Sequence, residues 1–161
     1  MRIIALLVGL LCLSACVSVS TSPVSSVKHT EKLPDTSPAQ VVSDYLEALK
    51  NRDFGKTYDF ISSGYAANLD RKSYEINIKQ DLDKYHWTLL GYQVLGVQIL
   101  GDQAFVLTEL EVRFKPTNLE KETQKKLRVQ YGLTALEKKW KISQSNCILN
   151  CVSAEDFAGS G

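Results

Sequence analysis

The sequence predicts an α+β domain in which N-terminal helices pack on a curved antiparallel sheet of about four strands. Three observations predict it. Apolar residues recur at helical spacing in three successive segments between Ser37 and Tyr85, the period changes to two from about Trp87, and turn and bulge signals bring the alternating residues onto one face. A chain of 161 residues, 44% hydrophobic and 23% charged, has the composition of one modest globular core.

The helices are read first. Ser37-Pro38-Ala39-Gln40 combines an N-cap Ser, Pro at the first helical position and Gln at the third, the capping-box pattern. Val42, Tyr45, Leu46 and Leu49 follow as one stripe, and the helix should end near Asn51. Asp53 caps a second short helix with Phe54, Tyr58 and Ile61 on one side, broken by Ser62-Ser63-Gly64. Asp70 caps the third, with Leu69 and Tyr74 as a hydrophobic staple and Ile78, Leu82 and Tyr85 continuing the stripe.

The strands follow. Gly101-Asp102 has Gly first, as a type II′ hairpin turn requires, setting Ile99 opposite Ala104 and Val97 opposite Val106. A bulge at Gly96 then returns Val94 and Tyr92 to that face, opposite Thr108 and Leu110. Residues 104–114 are paired with 127–136 across the polar stretch Lys115 to Lys126, so that Phe114 meets Leu127, Val112 meets Val129, Leu110 meets Tyr131 and Val106 meets Ala135. A tight turn at Glu137-Lys138, which lacks the usual Gly or Asn, adds Ala135 to Trp140 and Leu133 to Ile142. Glu109, Glu111, Arg113, Arg128, Lys139 and Lys141 fall on the opposite, wet face, with Glu111 diagonal to Arg128.

The first 16 residues lie outside this domain. Arg2 precedes an apolar run from Ile3 to Leu13, 11 residues long, which suits a signal peptide and is too short to span a bilayer. Leu13-Ser14-Ala15-Cys16 closes it and resembles the bacterial lipobox, in which small residues admit the peptidase and the Cys thiol takes up diacylglycerol. The resemblance implies cleavage after residue 15 and two or three acyl chains on Cys16, enough for stable membrane anchoring. Val17 follows in place of the inner-membrane retention Asp, so the resemblance implies an outer-membrane lipoprotein facing the periplasm. Of residues 17–37, 11 are Ser, Thr or Pro, with no large aromatic residue, so residues 16–37 are expected to be a flexible tether. The domain is expected over 38–152 and a flexible tail over 153–161.

Pro38-Ala39-Gln40-Val41-Val42 with Tyr45-Leu46-Glu47-Ala48-Leu49, Gly101-Asp102-Gln103-Ala104-Phe105-Val106, and Leu136-Glu137-Lys138-Lys139-Trp140-Lys141-Ile142 resemble segments of the nuclear transport factor 2-like, or cystatin-like, cone superfamily. Small bacterial lipoproteins of that superfamily carry similar segments. The resemblance covers about residues 38–144 and concerns fold positions. It carries no catalytic signature, and the fold hosts enzymes, binding modules and assembly domains alike.

Function has to be read from the residues. With 19 basic and 18 acidic residues nothing selects a polyanion, so nucleic acid is not an expected partner. Isomerases and dehydratases of the superfamily resemble one another in using an Asp, His or Tyr inside the cone, whereas the inward polar groups here are Thr108 and the hydroxyls of Tyr92 and Tyr131. His86 precedes the first strand, Asp102 belongs to the turn, and Tyr45 and Tyr58 sit on helical stripes, so all four read as structural. No catalytic residue, metal site or cofactor is expected. Tyr92, Thr108, Leu110, Tyr131 and Trp140 are the expected pocket lining. Cys147 and Cys151 are read as a disulfide stapling the tail beyond the last strand, since an even pair in an exported chain favours a bridge. A metal clip would be half a zinc site, and the spacing is not the redox Cys-x-x-Cys. The expectation is a non-catalytic envelope lipoprotein binding a small apolar ligand or a partner protein; an isomerase or dehydratase and a structural assembly factor are the alternatives.

Overall fold

A computed structural model describes residues 34–115 and 122–152. The chain divides into two units, Met1–Thr30 and Glu31–Gly161, and every described residue belongs to the second. Cys16, most of the tether and the 153–161 tail lie outside the described residues.

Three helices precede four strands: α1 (Pro38–Lys50), α2 (Phe54–Tyr58), α3 (Arg71–Lys84), β1 (Thr88–Leu100), β2 (Gln103–Phe114), β3 (Thr123–Leu136) and β4 (Lys139–Leu149). Ser37 caps α1 by accepting from the Gln40 N–H at 3.2 Å, but the Gln40 side chain bonds Asp44 rather than returning to Ser37, so half of the capping box forms. Val41, Val42, Tyr45, Leu46 and Leu49 are the buried stripe of α1. The Asp53 carboxylate accepts from Lys56 N–H at 3.0 Å. α2 ends at Tyr58, before Ile61, because Ile61 leaves the helical path to form a parallel bridge with Ile142. Asp70 caps α3, accepting from Ser73 N–H at 3.0 Å, and this bond holds its carboxyl below the ordinary range. Tyr74 is the buried residue of α3, with Leu69 packed against the same core.

The sheet is antiparallel with order β1-β2-β3-β4. Gly101 has φ +64°, and Asp102 is not among the residues of positive φ, the pattern of a type II′ turn. Ile99 pairs with Ala104 and Val97 with Val106; the register then shifts between Val94 and Gly96, so that Val94 meets Thr108 and Tyr92 meets Leu110. A second shift between Leu89 and Gly91 bends β1 again. Glu137 and Lys138 have φ of +49° and +62°, so the last turn is type I′ made from two non-glycine residues, with Ala135 on Trp140 and Leu133 on Ile142.

The β2–β3 register differs from the sequence reading. Phe114 pairs with Thr123, Leu110 with Leu127, Thr108 with Val129, Val106 with Tyr131 and Ala104 with Leu133. β3 therefore begins at Thr123, inside the stretch read as a loop. The displacement is by an even number of residues, so every side chain keeps its face while its partner changes. Arg128 consequently lies directly opposite Glu109 and stays diagonal to Glu111, which itself faces Lys126. Cys147 is part of β4 rather than beyond the last strand, and it is disulfide-bonded to Cys151 with 5.7 Å between the Cα atoms. The helices cover the inner face, where Val42, Leu46, Val106, Val112, Phe114, Leu133 and Ile142 are fully buried.

Candidate functional site: a buried cluster of phenols

Tyrosines from four elements converge between the helices and the inner face. Tyr45 occupies the α1 stripe, Tyr65 follows the break after α2, Tyr74 sits in the first turns of α3, and Tyr131 points inward from β3. The Tyr45 and Tyr131 rings meet edge-on, centroids 5.9 Å apart at 64°. The Tyr45 phenol lies close enough to those of Tyr65 and Tyr74 for each to perturb it. Thr57 Oγ1 donates to the Phe54 carbonyl at 2.7 Å and lies 3.4 Å from the Tyr74 hydroxyl. Tyr65, half-buried, extends the cluster toward the surface, its hydroxyl 2.9 Å from Ser145 Oγ on β4.

Burial raises the Tyr45 phenol well above its ordinary value, with the neighbouring tyrosines adding to the shift. Tyr131 is raised by burial and by Tyr65, and Tyr74 by burial. At neutral pH these groups are neutral phenols, able to donate a hydrogen bond to an oxygen acceptor but unable to act as a base. Among the described residues the buried polar side chains outside this cluster are Thr57 and Thr108.

The residues expected to line a pocket fall into two groups. Thr108, Leu110, Tyr131 and Trp140 are 0–4% exposed on the inner face, and Thr108 donates to the Val129 carbonyl at 3.0 Å. Tyr92 lies at the margin, half-buried, donating to the Ser43 carbonyl at 3.1 Å; burial and the nearby Glu47 carboxylate raise its phenol. Tyr45, Tyr65 and Tyr74 are the site residues that sequence reasoning missed. Tyr45 fitted a helical core stripe, and no local pattern joins it to a loop tyrosine and another helix.

His86 is exposed and adopts φ +46° just before β1, bordering a cleft with Arg52, Asp83, Trp87, Thr88, Arg113 and Glu122. Arg52 is paired with Asp83 there and Arg113 with Glu122 at 3.5 Å, so the cleft's charges are internally matched. On the outer face Glu109 is 3.6 Å from Lys126 and 3.8 Å from Arg128, and Gln124 donates to Glu111. No group of three or more His, Cys, Asp or Glu able to hold a metal occurs among the described residues, and no helix among them is long and apolar enough to cross a membrane.

No profile of a known protein family matches the chain. No curated protein matches it either. Among solved structures it is similar to Bd1075 of Bdellovibrio bacteriovorus, at 18% identity and TM-score 0.50, over 68% of this chain and 39% of that one. A protein of unknown function with a cystatin-like fold from Nostoc punctiforme aligns at 11% identity and TM-score 0.49, over 68% and 85%. A provisionally named dehydratase of the NTF2-like family from Streptomyces avermitilis aligns at 11% identity and TM-score 0.47, over 69% and 93%. At these identities the likeness is one of fold alone.

Proposed function

We propose that this chain is an exported lipoprotein held in the cell envelope by acyl chains on Cys16, whose domain binds a small, mainly apolar ligand and performs no chemistry on it. The observation that carries the reading is the phenol cluster. An apolar interior that contains a few convergent donors is the composition of a small-molecule site. Hydroxyls at Tyr45, Tyr65, Tyr74 and Tyr131 would hold one oxygen acceptor of the ligand, with Leu110, Trp140 and Leu133 around its apolar body. Entry would be past Tyr65 and Ser145. An isomerase or dehydratase needs a proton acceptor within about 3 Å of the reacting carbon, and the buried cluster supplies donors only. The Cys147–Cys151 bond accords with an oxidising, exported compartment. The lipobox and the Val17 that follows it favour the outer membrane, with the tether over 16–37 leaving the domain in the periplasm.

A structural assembly role is the second reading, favoured by how completely the helices bury Thr108, Leu110, Tyr131 and Trp140. Native mass spectrometry of the full chain, exported and extracted from membranes in mild detergent, separates the two. The ligand reading expects an added small apolar mass that Tyr45→Phe weakens; a bare lipoprotein mass supports the assembly reading instead. Anchoring is tested separately, since Cys16→Ser should abolish lipid labelling and release the protein from membranes or stall its processing. Unchanged membrane fractionation would contradict it.

A further inference from the structure

The two edges of the sheet are protected differently. At β4, Ile61 forms its bridge to Ile142, Ser62 N–H donates to the Ile142 carbonyl at 2.8 Å, and Ile142 N–H donates to the Phe60 carbonyl at 2.9 Å. Lys139 and Lys141 add charge, and the disulfide closes the far end. Natural sheets guard their edges with such devices. β1, the other edge, is 13 residues long and contains no charged residue and no proline. Leu95, Val97, Ile99 and Leu100 stand 40–54% exposed within its last six residues. Val97 and Ile99 are inner-face positions, opposite Val106 and Ala104, so the apolar row of the core runs on to an edge that no other described strand covers.

We propose that a second copy of this chain covers this edge by antiparallel pairing of β1 with its own counterpart, about a twofold axis at Gln98. The register follows from the hairpin. Leu100 and Gln103 flank a two-residue turn and form its bonded pair, so Gln98 also bonds toward β2, while Val97 and Ile99 turn their N–H and C=O groups to the open edge. Two such edges mate when Val97 of each copy faces Ile99 of the other, leaving Gln98 opposite Gln98 and Leu100 opposite Gly96. Val97-Gln98-Ile99 reads nearly alike in both directions, so like packs on like: the inner apolar rows of the copies join, and the two glutamine amides meet on the outer face. An uncharged edge offers an acidic or basic partner nothing to select, and it sets no like charges against its own copy.

The test is cysteine cross-linking in the full chain, exported and oxidised mildly in its membranes. Gln98→Cys sits at a non-hydrogen-bonded pair, where Cα atoms approach to about 4.5 Å, and should convert most of the chain to a reductant-sensitive dimer. Gln93→Cys, on the same strand and exposed, lies far from its own copy in this register and should stay at the background of the parent chain. Ile99→Lys, added to Gln98→Cys at an exposed position, should abolish the dimer band. Background cross-linking at Gln98→Cys, or equal cross-linking at Gln93→Cys, overturns the proposal. A dimer band that survives Ile99→Lys overturns it as well.

Discussion

The two faces of the sheet, one residue apart along each strand, live in different media. On the inner side Thr108, Leu110, Tyr131 and Trp140 are sealed under the helices. On the outer side Glu109, Arg128, Lys126 and Lys139 remain in contact with water, and the ion pairs there are 3.6–3.8 Å apart between partly exposed groups. A buried aliphatic side chain contributes kilocalories through transfer and packing, whereas an exposed ion pair contributes tenths because water and salt screen it. Stability should therefore be held by one face, and the other should tolerate change.

The sharpest way to break this contrast is to truncate the inner face. Leu110→Ala should cost about 2–5 kcal/mol in chemical denaturation, with the slope of the transition unchanged. Removing a single hydroxyl probes the same face more finely. Tyr45→Phe keeps the ring against Tyr131 but removes a buried hydroxyl beside the phenols of Tyr65 and Tyr74, which should cost about 1–3 kcal/mol. The outer face gives the smallest effect: Glu109→Ala, measured in the same way, should stay within about 0.5 kcal/mol of the parent. A loss at Glu109 as large as that at Leu110 would erase the distinction between the faces.

Which side chains share a face was legible because a strand alternates with period two, and Val106, Thr108, Leu110 and Val112 satisfy that alternation without regard to the partner strand. The partner was not legible for the same reason. A shift by an even number of residues leaves apolar groups opposite apolar groups, so Leu110 could be set on Tyr131 as readily as on Leu127, its partner in the structure. The bulge near Gly96 could be read because the inward row fails without it; the one near Leu89 breaks no apolar row and left no sign. Asp53 and Asp70 announced their helices through local capping chemistry. The end of α2 depended instead on Ile142, a residue distant in sequence that draws Ile61 onto the sheet. The phenol cluster is non-local throughout: Tyr45, Tyr65, Tyr74 and Tyr131 become neighbours only when α1, α3 and β3 have packed.

Alkaline titration of the phenols tests the central claim most directly. The account holds that Tyr45, Tyr74 and Tyr131 are sealed, neutral donors. Their folded pKa values lie above the unfolded value of about 10, so their contribution to stability is fully present below that pH and is lost as pH rises through the folded values. Near-ultraviolet phenolate absorbance of the parent, compared with that of Tyr131→Phe, isolates one member of the cluster. The prediction is that the Tyr131 phenolate forms only above about pH 10, and only together with cooperative loss of circular dichroism. A Tyr131 that ionises at the ordinary phenol pH while the dichroism stays native would contradict the account.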